Sequence, residues 1–244
     1  MLSSLFDEYS LNARVRPALL ALLPIIVFVY IGFPQLYELA AGATSVLVVA
    51  GFITALAHFV RYRGRSIEDD LFSSWGGKPT TVLLRHSDPT IDTVTKKRYH
   101  AYLSENINCW SAPAVDEEEK NPVGADEVYE SAGKWLLEST RDTKIYSLLF
   151  KENISYGFRR NCYGIKWHAC LLSLLPLSLV LINYGYSGEV WSQTKIIIMA
   201  ASAIFSVALF VWWGFVVSPK WVKDAAISYS IRLLASCDTA PPNT

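Results

Sequence analysis

The sequence predicts an all-α membrane protein, with four transmembrane helices arranged as two hairpins around a mainly helical cytosolic insert domain. Three observations predict it. Hydrophobic residues make up 52% of the 244-residue chain and charged residues 18%, and the charged ones are almost absent from four windows. Those windows are Pro17 to Phe33, Leu39 to Val60, Trp167 to Tyr186 and Ile196 to Val217, of 17, 22, 20 and 22 residues. A helix needs about 20 residues at 1.5 Å rise each to cross a hydrocarbon core of about 30 Å. Finally, a polar stretch of about 100 residues, roughly Arg61 to Lys166, parts the windows into two pairs and is the size of a small domain. The organisation expected is therefore 1–62 (N-terminal segment and first hairpin), 63–165 (cytosolic domain), 166–217 (second hairpin) and 218–244 (cytosolic amphipathic segment).

The first window barely reaches membrane length. A second span follows it almost at once with no small-residue cleavage site, so it is not read as a signal peptide. Aromatic residues near the window ends, Tyr30, Phe33, Trp191, Trp212 and Trp213, suit the membrane interface. The two hairpins open alike, on Ala18-Leu-Leu-Ala-Leu-Leu-Pro24 and Cys170-Leu-Leu-Ser-Leu-Leu-Pro176. They are either parallel repeats or a coincidence of leucine-rich sequence. Pro24 and Pro176 each remove a backbone hydrogen bond inside an apolar run. Small residues in the second and fourth windows, among them Gly42, Ala50, Gly51, Ala200 and Ser202, suit close helix packing or oligomerisation.

Lys and Arg in the short flanks set the orientation. Arg14 and Arg16 precede the first window, Arg61, Arg63 and Arg65 follow the second, Arg159, Arg160 and Lys166 precede the third, and Lys220 and Lys223 follow the fourth. The opposite side carries only Lys195, which places both termini and the insert in the cytoplasm. Cys109, Cys162, Cys170 and Cys237 show no CxxC or Cys/His ligand spacing, so neither a disulfide nor a metal site is expected, and no cofactor is indicated. No window holds an interior Asp, Glu, Lys or Arg, which argues against a pump or a proton-coupled transporter. A pore would be lined by Thr44, Ser45, Thr54, Ser173, Ser178, Ser202 and Ser206, although such hydroxyls more often bond back to their own helix. His58 and His168 are read as polar anchors at the interface.

Between Arg63 and Arg160 the chain carries 14 Lys and Arg against 16 Asp and Glu, a balance that excludes a general nucleic-acid surface. Short extended pieces are expected around Thr80 to Arg85. Lys96 to Leu103 reads as a short helix with aromatic and leucine residues on one face. Asp116 to Pro122 reads as an acidic exposed loop. The best helix runs from Asp126 to Thr140, with Val128, Ala132, Trp135 and Leu136 on its buried face.

Two segments stand out chemically. Trp75-Gly-Gly-Lys78-Pro-Thr-Thr81 sets glycines beside a cation and two hydroxyls, the ingredients of a phosphate-holding loop. It lacks the GxxxxGK[ST] spacing, and a structural turn carrying a buried Trp75 is the stronger reading. Phe150 to Asn161 sets Arg159 and Arg160 among aromatic residues directly before the third window. The pair is a candidate for an anionic lipid head or phosphorylated ligand, or serves only to fix topology and snorkel. Glu152 and Asn153 are candidates for a polar network coupling the insert to the bundle. The candidate site residues are thus Arg159, Arg160, Lys78, Glu152 and Asn153. No Ser/His/Asp, Cys/His or paired-carboxylate spacing supports catalysis, so no catalytic residue is proposed and an enzyme is not expected.

At WGGxPTT and ENxxYGFRRN the chain resembles an uncharacterised group of bacterial four-span proteins, and its layout resembles that of predicted membrane effectors of antiphage systems. The motif similarity covers about 20 residues. The resemblance implies a multi-pass protein of the bacterial inner membrane that receives a cytosolic signal and permeabilises or perturbs the bilayer. Its implied partners are the bilayer, further copies of itself as a homo-oligomer, and a cytosolic protein or nucleotide second messenger. A non-enzymatic scaffold recruiting a soluble partner is the alternative, and a lipid-phosphate enzyme acting near Arg159 and Arg160 a third reading.

Overall fold

The computed structural model describes residues 7–32, 43–186 and 192–239, and among these the chain is helical with short connections and no strand. A helical turn Glu8–Ser10 and a π-helical turn Leu11–Val15 lead into α1 (Arg16–Gly32). Then come α2 (Ala43–Ser66), α3 (Glu68–Ser74), α4 (Pro79–Leu84), α5 (Thr93–Asn106), α6 (Val115–Lys120) and α7 (Pro122–Ser139). The 40-residue α8 (Ser147–Tyr186), α9 (Gln193–Val211), a second π-helical turn Trp212–Val216, α10 (Pro219–Leu234) and a 3₁₀ turn Ala235–Asp238 complete it. The chain divides into unit 1 (Met1–Ile67, Gly157–Val222) and unit 2 (Glu68–Tyr156, Lys223–Thr244).

Three helical stretches are long and apolar enough to cross a membrane: Glu8–Tyr30, Ser147–Ile182 and Gln193–Val216. They overlap the first, third and fourth expected windows, of which Phe33 lies outside the described residues. Of the second, residues 39–42 lie outside the described residues, and α2 as described ends in Arg61, Arg63 and Arg65. The turn Pro34 to Glu38 and Trp191 also lie outside them. Pro24 and Pro176 sit inside α1 and α8.

Unit 1 exposes large apolar residues of the kind that a protein packed in water buries. Along α9 and its π-helical extension, Ile197, Ile204 and Phe215 are exposed, Phe215 by 80%, whereas Ser202, Ser206 and Trp213 are buried. Residues 202, 206 and 213 recur at about 3.6-residue spacing, so they share one face. That face turns inward while the apolar one turns outward, the arrangement a hydrocarbon solvent favours. The inner core joins Ala18 and Ala21 of α1, Val60 of α2, Cys162, Ile165 and Ala169 of α8, and Trp213. Close approach is enforced where α2 crosses α8. A Cβ on Gly164 would lie 2.7 Å from the backbone of Arg63 and Gly64, so no other residue fits without parting the helices.

Unit 2 is an ordinary water-type core. Leu83 and Leu84, Tyr99 and Leu103, Trp110, Tyr129, Ala132 and Leu136, and Leu149 close on Leu233, Leu234 and Cys237. Residues 223–239 therefore complete this core, where the sequence suggested a separate C-terminal segment.

Four details differ from expectation. Residues 80–84 are helix, because Pro79 at the first helical position presets φ and needs no hydrogen-bonded N–H. The acidic stretch at 116–119 is helix α6, and Glu118 is buried. On α7 the buried residues are Ala125, Tyr129, Ala132, Gly133 and Leu136, while Val128 and Trp135 are half-buried. Trp75 is half-buried too, in a turn where Gly76 and Gly77 take φ of 83° and 135°, a region closed to most side chains.

Candidate functional site

A cleft in unit 2 gathers the strongest concentration of buried polar groups outside unit 1. Its first wall is the start of α5, capped by Asp92, whose carboxylate accepts from the Thr95 amide at 2.9 Å. Positions 96, 99, 100 and 103 form one stripe of this helix. Tyr99 and Leu103 enter the core, and Lys96 and His100 are buried with them. The second wall is the turn Arg85–Asp88. Arg85 holds it in place by a bidentate pair with Asp126 at 2.7 and 2.6 Å and a bond to the Gly76 carbonyl at 2.8 Å. The third wall is α6. The space between them measures about 380 Å³ and is lined by Ser87, Thr93, Lys97 and Glu119 as well as the groups that follow.

Glu118 is the most heavily bonded side chain there. Its carboxylate accepts from the backbone amides of His86 at 2.8 Å and Ser87 at 3.1 Å, from the Ser87 hydroxyl at 3.0 Å and from the Tyr129 hydroxyl at 2.8 Å. Burial pushes its carboxyl up, but these four donors outweigh burial and leave it below the ordinary carboxylate value. Tyr129 moves the other way, raised by burial and by its bond to Glu118.

His100 stacks on Tyr129 with ring centroids 5.7 Å apart and meets His86 edge-on at 5.1 Å. Its Nε2 donates to the Leu84 carbonyl at 2.9 Å, as that of His86 does to the Pro113 carbonyl at 2.9 Å. A carbonyl only accepts, so each ring in its neutral form keeps a lone pair on Nδ1. Burial lowers His100 from 6.5 to about 4. Lys96 is 4% exposed, and its Nζ donates to the carbonyls of Arg85 and Asp88, each at 2.5 Å. Burial lowers it too, against the attraction of Asp88 and Glu118.

The residues singled out from the sequence fall elsewhere. Lys78, Glu152 and Asn153 belong to unit 2 and Arg159 and Arg160 to unit 1. Lys78 forms an exposed pair with Glu130 at 2.5 Å, which Lys134 shares at 3.0 Å. The glycine turn thus holds its cation for a neighbouring carboxylate. Glu152 and Asn153 are half-buried on α8. Arg159 donates to the Trp221 carbonyl at 3.0 Å and lies 5.1 Å from that indole's centroid. Arg160 is buried and donates to Asn161, whose amide donates in turn to the Ala13 carbonyl at 2.6 Å. Lys166 closes the second π-helical turn by donating to the carbonyls of Gly214 and Val217 at 2.8 and 2.9 Å. These juxtamembrane cations tie helix ends together.

Of the hydroxyls considered as a lining, Thr54, Ser173, Ser178 and Ser202 bond back to their own helices. Ser206 is buried without a partner among the described residues, as is the Trp213 Nε1. The side chains of Thr44 and Ser45 lie outside the described residues. Sequence reasoning missed Lys96, His86, His100, Glu118 and Tyr129. The available signal was a lysine on the same α5 stripe as Tyr99 and Leu103.

Fold and site together define a helical protein with three stretches of membrane length and a compact unit enclosing a polar cleft. Comparison with protein-family models, curated proteins and solved structures finds no match to this chain.

Proposed function

We propose that this chain is a membrane effector in bacterial antiphage defence, which receives a cytosolic signal through unit 2 and permeabilises or perturbs the inner membrane through unit 1. In this reading Leu39 to Val60 supplies a fourth span, the helices form two hairpins, both termini are cytoplasmic, and several copies assemble. The observation that carries it is the inverted polarity of α9, with Ser202 and Ser206 turned inward and Ile197, Ile204 and Phe215 outward. A helix that hides hydroxyls and exposes aliphatic groups suits lipid outside and close helix packing within. The flanking cations support the orientation, and the cleft supplies a place for a signal to be read.

The test is a potential-sensitive dye followed in cells expressing the full chain, before and during phage infection. Depolarisation that depends on the protein is the expected outcome. Normal polarisation at high membrane abundance, with a soluble protein recovered on pull-down, favours the scaffold instead. Turnover of a lipid phosphate monoester that is lost in Arg159→Gln favours the enzyme.

A further inference from the structure

Lys96 has no anion in direct contact among the described residues, and Asp88 and Glu118 attract it only from beyond ion-pair distance. Its Nζ carries three protons, two of which go to the carbonyls of Arg85 and Asp88. A carbonyl accepts a proton but does not neutralise a charge, and a buried ammonium without an anion in contact is costly. Glu118 attracts Lys96 through space but does not touch it, its oxygens accepting instead from four donors of His86, Ser87 and Tyr129. Lys96 nevertheless lines a cavity of about 380 Å³, a size that small-molecule sites have, and Lys97 and Thr93 present an exposed ammonium and hydroxyl on the same wall.

We propose that this cleft binds a small ligand bearing an oxyanion, with the anion against Lys96, Lys97 and Thr93 and the remainder along the rings of His86 and His100. The uncommitted proton of Lys96 supplies a charge-assisted hydrogen bond from a preorganised position, because the two carbonyls already hold the ammonium in place. Lys97, being exposed, adds attraction without fixing geometry. The Nδ1 lone pairs of the two imidazoles accept from any donor on the rest of the ligand. Carboxylate and phosphate share the required chemistry. The assignment rests on reading unit 2 as the part that receives a signal, and it names the class of that signal.

The experiment uses the full chain in detergent, with inorganic phosphate and, separately, acetate as probes, each titrated against chloride at constant ionic strength and pH 7.5. Thermal unfolding and the ¹³C-labelled His ring signals are followed together, which is practical because the chain has only four histidines. Expected are a saturable rise in Tm and shifts confined to the two signals lost in His86→Gln and His100→Gln. Lys97→Gln, at an exposed position, should weaken apparent affinity several-fold with its phosphate-free Tm unchanged, and Lys96→Met should abolish saturation. A larger response to phosphate than to acetate assigns a phosphorylated ligand, and the reverse a carboxylate. Saturation unaltered in both lysine variants, or no saturable response to either anion, overturns the proposal. Binding is read here without any membrane assay, so its failure leaves the depolarisation experiment standing, and the converse holds equally.

Discussion

Acid should unlatch unit 2 through His100 before it reaches the carboxylates. The ring is 6% exposed and stacked on Tyr129, with Lys96, His86 and Glu118 as its charged or titratable neighbours. Burial lowers it from 6.5 to about 4. An unfolded His100 takes up a proton below pH 6.5 while the folded one does not. The neutral ring's contribution is therefore complete above pH 6.5 and declines as pH falls toward 4. At ~1.36 kcal/mol per pH unit the decline amounts to on the order of 3 kcal/mol. Glu118, whose carboxyl is also lowered, loses its contribution only below the ordinary value of 4.5, so the two windows are separable. The assay is hydrogen exchange of peptides from α5 and α7, in detergent, at pH values from 7.5 to 4.5 after correction for intrinsic rates. Opening free energy in wild type should fall across this range. It should fall much less in His100→Gln, whose amide can still donate to the Leu84 carbonyl. Equal slopes in the two proteins would refute the assignment of a buried neutral ring.

Gly164→Leu should separate α2 from α8 and cost about 1–3 kcal/mol as overpacking, seen as a lower Tm in detergent; an unchanged Tm would mean that the helices do not meet there. Trp135→Ala should cost less than the roughly 3–5 kcal/mol of a fully buried aromatic, since Trp135 is half-buried beside Tyr102, whereas Tyr129→Ala should reach that range; urea unfolding ranks the two. Replacing Arg159 and Arg160 together by Gln should leave insertion intact, because Arg61, Arg63, Arg65 and Lys166 remain, while abolishing dye-reported activity. Arg159→Lys keeps the charge but loses the planar fork over Trp221, and full activity in that variant would reduce Arg159 to a topology anchor. Accessibility labels at either terminus and at Lys120 should react only from the cytosolic side, and reaction at Lys120 in intact cells would reverse the orientation. Lys120 is exposed at the end of α6, whereas Glu118 two residues before it is buried.

Periodicity alone carried the helical class, the apolar windows and the α5 and α7 helices, because a hydrocarbon slab and a 3.6-residue repeat each leave a local mark on composition. The juxtamembrane cations were legible for the same reason, and only their partners, Trp221 for Arg159 and Asn161 for Arg160, awaited the fold. Residues 80–84 and 116–119 were read as extended and as an exposed loop, since each helix is only six residues long and too short to show a period. The cleft was not legible. Lys96, Ser87 and Glu118 are unremarkable in one dimension, where charged residues near a helix start or in an acidic run suggest a solvated face. Tertiary packing alone placed four donors around Glu118 and left Lys96 buried on carbonyls with no anion in contact among the described residues. A charge's surroundings, which decide whether it is solvated, paired or waiting for a ligand, come from segments distant in the chain, and the α5, α6 and α7 elements meet only in the folded unit.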